Sequence, residues 1–272
     1  MVVRRVRQAA VAGYFYPEQP DALRDALRRL TASGAFRVPA RGVIVPHGSF
    51  AYSGAIAGET LSRLVVPRCC VILGPNHTGW GASWSVMAEG AYETPLGEVP
   101  IDEAMAASLL KACPLLAADD LAHRGEHAIE ALLPFLQWLG PEDLAIVPLV
   151  VGGEDGEEID QVAGVLVDVI SQSAEPALLV ASCEFTRYEP MPRAAYHDAQ
   201  AIELIQQMNE QRFLQGVRAR QAMLCGAGPV ACVLGASRRL GATKARLVRY
   251  ATSADAGGDP HSAIGYAGII IT

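Results

Sequence analysis

Residues 69–79 read CCVILGPNHTG, an unbroken apolar run that empties into a loop of Gly, Pro, Asn and His. A run of this length closed by turn-forming residues predicts a strand buried on both faces, as in sheets covered by helices on either side. The stretch GVIVPHGSFAYSG, residues 42–54, repeats the plan: Gly42 to Val45 form a short buried strand, Pro46 ends it and His47 follows. Working outward, AIVPLVV at 145–151 and ALLVASCEFTRY at 177–188 predict two more strands, the last with a polar exit. Helical spacing fills the intervals. Residues 18–30 place Leu23, Leu27 and Leu30 on one face, and further helices are expected at 54–64, 101–113 (begun by Asp102), 157–172, 193–214 and 228–241, with Pro229 in a first turn.

Residues 126–140 also predict a helix, with Pro134 kinking or dividing it. Residues 85–99 suggest a hairpin turning near Pro95 and Gly97, and 244–255 and 261–272 read as terminal strands. No internal repeat, linker or composition shift divides residues 1–272. The expectation is one α/β domain whose central, largely buried sheet is flanked by helices.

Composition narrows the function. Apolar residues make up 51% and charged residues 19%, which excludes a disordered interaction segment. A formal charge of −7 argues against unassisted binding to a long nucleic acid duplex. Gly, Pro and charges interrupt every apolar stretch before it reaches membrane-spanning length, and the first residues lack a secretory leader pattern, so a soluble cytoplasmic chain with neither nucleic acid nor membrane partner is expected. There is no GxGxxG run, P-loop or GxSxG elbow. Six cysteines without a CxxC pair predict free thiols rather than a disulfide framework.

The sharpest chemical signal is the pair His47 and His77, each in a Gly/Pro-rich exit behind an apolar strand. Parallel strands bring such exits to one sheet edge, where α/β proteins build their sites. There the two imidazoles could ligate zinc, iron or copper, or could instead hold loop backbones by hydrogen bonds. Cys225, after the helix-like run 220–224 and before Gly226, Ala227 and Gly228, could complete a two-His, one-Cys set; Cys232 reads as a buried small residue. A helix through 126–130 would put His127 and Glu130 on one face, and Glu126 and Glu130 likewise. At the fourth strand exit, Glu184 could act as a base or a fixed charge, and Arg187 could bind an anionic substrate or pair with Glu184.

Taken together, AGYFYP (12–17), VIVPHGSFAYSG (43–54), ILGPNH (72–77), GEHAIEALLPFLQ (125–137), IVPLVVG (146–152), ASCEFTRY (181–188), CGAGPV (225–230) and IGYAG (264–268) resemble the Memo-like family, bacterial members of which are called AmmeMemoRadiSam system protein B. The resemblance implies a fold like that of the class III extradiol ring-cleaving dioxygenases. It also implies a metal set of His47, His77 and Cys225, with His127 at the helix-start motif. Where the family pattern usually has an Asp and a His three residues on, this chain has Glu184 and Arg187; where it has PHAGY, this chain has PHGSF, so that Phe50 stands at a substrate-facing position without a phenol.

The expected function is a metal-dependent oxidoreductase, with iron or copper favoured and zinc permitted, acting on an unknown small molecule with His127 and Glu184 as its proton-handling groups. The alternatives are an accessory protein that binds a peptide or small ligand in the same cleft, and a zinc-dependent hydrolase. AMMECR1-like and radical S-adenosylmethionine proteins are the partners the resemblance implies.

Overall fold

The structure, a computed structural model, describes residues 5–220 and 224–272; the middle of the helix-like run before Cys225 lies outside the described residues. In chain order come β1 (Val6–Arg7), α1 (Pro20–Leu30), β2 (Gly42–Val45), α2 (Gly54–Leu61), β3 (Cys69–Pro75), β4 (Trp84–Val86), β5 (Ala91–Thr94) and β6 (Gly97–Pro100). There follow α3 (Glu103–Ala112), β7 (Ala117–Ala118), α4 (Leu133–Leu139), β8 (Ala145–Val151), α5 (Gly156–Gln172) and β9 (Ala177–Ser182). The chain ends with β10 (Arg187–Glu189), α6 (Met191–Gln206), α7 (Glu210–Arg220), α8 (Ala227–Arg239), β11 (Ala245–Thr252) and β12 (Ala263–Ile271).

The four apolar runs become the parallel centre of a mixed sheet, in the order β2, β9, β3, β8. Every residue of those four strands is buried, as their unbroken hydrophobicity requires. Each fully buried aliphatic side chain among them contributes about 1.5–3 kcal/mol. β12 pairs antiparallel with β2 and with β11, and β4 pairs antiparallel with β8, so the sheet is extended at both sides. Helix α8 lies across β9, β2 and β3, with Ala227 through Ser237 all buried, while α2 and α6 cover β11 and β12. The result is one α/β domain.

Local chemistry sets the ends. The Asp102 side chain accepts the Met105 N–H and caps α3, and Asp155 accepts from Glu157 and Glu158 to cap α5. The hairpin forms between β5 and β6, where Thr94 pairs with Gly97; β4 does not join it but enters the main sheet beside β8. Residues 193–214 divide into two helices, and Met208 between them takes a left-handed backbone (φ 55°).

One expected helix is corrected. Residues 130–132 form a 3-10 turn and α4 begins only at Leu133, with Pro134 in its first turn, where the missing N–H costs no hydrogen bond. Glu126 and His127 therefore lie in the loop before α4, and the shared helical faces expected with Glu130 do not form. Among the described residues, no helix is long and apolar enough to cross a membrane.

Candidate metal centre

The carboxyl ends of β2, β3 and β9 deliver His47, His77 and the segment Cys183–Glu184 to one edge of the sheet, and the loop before α8 brings in Cys225. One ligand atom each from His47, His77 and Cys225 lie within 4.8 Å of one another. His47 is buried at 1% exposure; its Nδ1 is 2.7 Å from Ser182 Oγ and its Nε2 is 3.4 Å from Cys225 Sγ. His77 is fixed twice by Glu126, which accepts its backbone N–H at 2.6 Å and its Nδ1 at 2.9 Å. The third donor to Glu126 is the Ala128 N–H at 2.9 Å. A carboxylate behind an imidazole orients the ring and makes its other nitrogen a better ligand.

Cys225 sits against the fourth strand exit. Its sulfur accepts the Glu184 N–H at 3.3 Å, and its own N–H donates to the Glu184 carbonyl at 3.3 Å. Gly226 is needed for this approach, because a Cβ there would stand 2.5 Å from the Ser182 carbonyl oxygen and 2.7 Å from Cys183 Cβ. The hydrogen bond from Cys183 and the adjacent His47 hold Cys225 well below the usual thiol range, against the effect of burial. Burial works against charge on His77, but hydrogen bonds to Cys225 and Glu126 outweigh it and push the imidazole up to about 9. Burial likewise opposes the Glu126 charge, yet His77 holds that carboxyl down at about 2. Two nitrogens and one sulfur held this way suit zinc, iron or copper.

His127 joins the cluster without a helix to place it. Its ring stacks on His77 at 4.6 Å and meets His47 at 5.5 Å and Phe15 at 4.9 Å. Burial and the neighbouring His47 charge lower it to about 4, so it is neutral at pH 7. Glu184 is 4% exposed; burial raises its carboxyl, with Cys225 adding to the rise and His47 opposing it. Arg187 Nε lies 3.6 Å from Glu184 Oε2, and the guanidinium covers the ring of Tyr188. Phe50 points elsewhere: its ring packs on Tyr16 and Phe135 at 8% exposure, while its N–H donates to the Phe15 carbonyl at 2.8 Å. Its expected place against a substrate gives way to packing that seats the Phe15 segment beside His127. His123 also stands apart, buried with Nδ1 2.7 Å from the Tyr92 hydroxyl.

Two roles escape the sequence reading, while a third is one of its alternatives: the carboxylates near His127 could orient an imidazole or face solvent, and Glu126 does the former, on His77. Ser182 reads only as a strand end. Glu130 is the centre of a buried network: it pairs with Arg7 and accepts the Ala10 and Val11 N–H groups at 2.8 and 3.0 Å and the Tyr16 hydroxyl at 2.6 Å. Arg7 also donates to the His123 and Glu126 carbonyls, at 2.9 and 2.6 Å. The amino-terminal segment is thereby clamped onto the loop that carries Glu126 and His127. The only early signal was a Glu inside an otherwise apolar stretch.

Sequence comparison gives this geometry its relatives. The family model described as Memo-like protein matches residues 7–270. The chain belongs to the Memo-like family. A MEMO1 family protein of Methanosarcina mazei is 38% identical to it over 267 residues, covering 98% of this chain and 99% of the relative. One of Methanopyrus kandleri is 36% identical over 279 residues, covering 97% and 98%. In structure, this Memo-like chain shares its fold with an uncharacterized protein from Escherichia coli K12, with a TM-score of 0.60 at 16% identity over 85% of this chain and 99% of the other.

Proposed function

We propose that this Memo-like protein is a metal-dependent oxidoreductase acting on a small anionic molecule, with His47, His77 and Cys225 as the ligands. The observation that carries the reading is the convergence of two buttressed imidazoles and one sulfur within 4.8 Å at the sheet edge. Iron or copper held by that set would supply electron-transfer chemistry that the side chains lack. The chain's own groups do the rest. Arg187, partly exposed beside Glu184, holds an anionic group of the substrate. His127, neutral at pH 7, accepts a proton within reach of His47 and His77. Glu184, its carboxyl raised by burial, exchanges a proton more readily than an exposed carboxylate. Phe15 against His127 limits water on that side.

The test is anaerobic purification with metal analysis, followed by oxygen consumption with a panel of small carboxylates. Stoichiometric iron or copper and turnover lost in Arg187→Ala are expected. Absence of metal binding in both oxidised and reduced preparations would sink the proposal, and turnover with zinc alone would replace redox chemistry with hydrolysis.

A further inference from the structure

Cys183 has no part in the function proposed above, yet its sulfur is the neighbour of the candidate ligand Cys225. Cys183 Sγ lies 3.2 Å from the Glu184 carbonyl oxygen and Cys225 Sγ lies 3.7 Å from the same atom, so both sulfurs converge on one acceptor. The segments carrying Cys183 and Cys225 are held together by the Cys225 N–H on the Glu184 carbonyl, by the Glu184 N–H on the Cys225 sulfur and by the bare Cα of Gly226 against Cys183. The two thiols also differ in access: Cys225 is half-buried at the His cluster, while Cys183 is sealed behind it. Cys69 and Cys70 project to opposite faces of β3, and Cys113 and Cys232 are packed in the core.

We propose that Cys183 is a resolving cysteine, and that a peroxide converts Cys183 and Cys225 into a reversible disulfide that withdraws the sulfur from the His47, His77 and Cys225 set. In the first step the Cys225 sulfur attacks the peroxide: an S–O bond forms, the O–O bond breaks, and the departing hydroxide takes up the proton lost from Cys225 to become water. In the second, Cys183 sulfur attacks Cys225 sulfur: the S–S bond forms, the S–O bond breaks, and the hydroxyl leaves with the Cys183 proton as a second water. Two thiols are oxidised by two electrons in all, and one peroxide is reduced to two waters. A neighbouring thiol resolves the sulfenic acid before it oxidises irreversibly. The loss of a ligand then makes metal retention dependent on redox state, a consequence that rests on the ligand assignment above, whereas the disulfide itself does not.

The experiment treats reduced, metal-free protein with hydrogen peroxide, alkylates the remaining thiols and maps the peptides. A Cys183–Cys225 linked peptide that dithiothreitol reverses is expected. Cys183→Ala and Cys183→Ser, checked for folding by circular dichroism, should instead carry Cys225 to sulfinic and sulfonic acids that dithiothreitol does not restore. Wild-type protein in which Cys225 is oxidised while Cys183 stays alkylatable would overturn the proposal, whether or not either variant folds. A second arm uses zinc, which peroxide does not oxidise: wild type should release it on treatment and rebind it after reduction. A chain that forms the linked peptide but never binds metal would overturn the ligand assignment and uphold the disulfide. Retention of zinc alongside the linked peptide would overturn the coupling between them.

Discussion

The hydroxyl of Ser182 fixes the tautomer of His47. Ser182 Oγ donates its one hydrogen to the Ala128 carbonyl at 2.6 Å, so at 2.7 Å from His47 Nδ1 it can only accept. Nδ1 therefore carries a hydrogen, which leaves Nε2, 3.4 Å from Cys225 Sγ, as the nitrogen that can ligate a metal once it gives up any proton shared with that sulfur. Glu126, which can only accept when ionised, imposes the same tautomer on His77. Both imidazoles are set to ligate through Nε2.

Ser182→Ala removes the acceptor that orients His47 without touching a ligand. Metal affinity, measured by competition with a chelator, should fall about 10–100-fold while the circular dichroism spectrum is kept. Unchanged affinity would mean that packing alone orients the ring.

Glu126→Gln breaks a fuller arrangement. The carboxylate accepts from the His77 N–H, from His77 Nδ1 and from the Ala128 N–H, and an amide must turn a donor toward at least one of them. Stability should fall by about 1–3 kcal/mol in denaturant titrations. In metal-free protein, NMR should find the His77 titration moving down from about 9, because the opposing charge is gone.

The parallel centre of the sheet and the pairing of His47 with His77 are legible because each depends on local pattern, whereas Cys225 enters the set through the family resemblance. Unbroken apolar runs define β3 and β8, and Pro46 marks where β2 gives way to its loop. Ser182 behind His47 and the Arg7–Glu130 pair are not legible, since the partners lie more than a hundred residues apart in sequence. The false helix through Glu126 arose from apolar spacing after residue 129, which extends a periodic pattern backward over residues whose side chains instead serve the site. Phe50 stands out by motif position alone, and the packing of its ring on Phe135 is a tertiary fact.

Glu130→Ala leaves the Arg7 guanidinium buried without its partner. Removing one member of a buried pair costs about 3–5 kcal/mol, and the Ala10, Val11 and Tyr16 donors are orphaned as well. Chemical denaturation should register a loss at or above that range, and limited proteolysis should cut the segment before residue 17 first.

His123 predicts acid sensitivity. Burial lowers it from 6.5 to about 4, with the Arg7 charge also lowering it and Asp119 and Glu126 opposing; the Tyr92 hydroxyl meets its Nδ1. The folded state therefore binds this proton less readily than the unfolded chain. Its effect on stability is absent well above pH 6.5, grows as pH falls toward 4 and levels off below that. The shift corresponds to roughly 3 kcal/mol. Denaturation midpoints between pH 7 and 4 should decline more steeply in wild type than in His123→Gln, and parallel declines would assign the acid loss to other groups.

X-ray absorption of anaerobically iron-loaded protein tests the central claim most directly, because it counts the atoms around the metal. One sulfur scatterer at about 2.3 Å beside imidazole nitrogens is predicted, with the sulfur gone in Cys225→Ser and retained in Cys232→Ser. A wild-type shell of nitrogen and oxygen alone, or a sulfur that persists in Cys225→Ser, would contradict the assignment of His47, His77 and Cys225 as the ligand set.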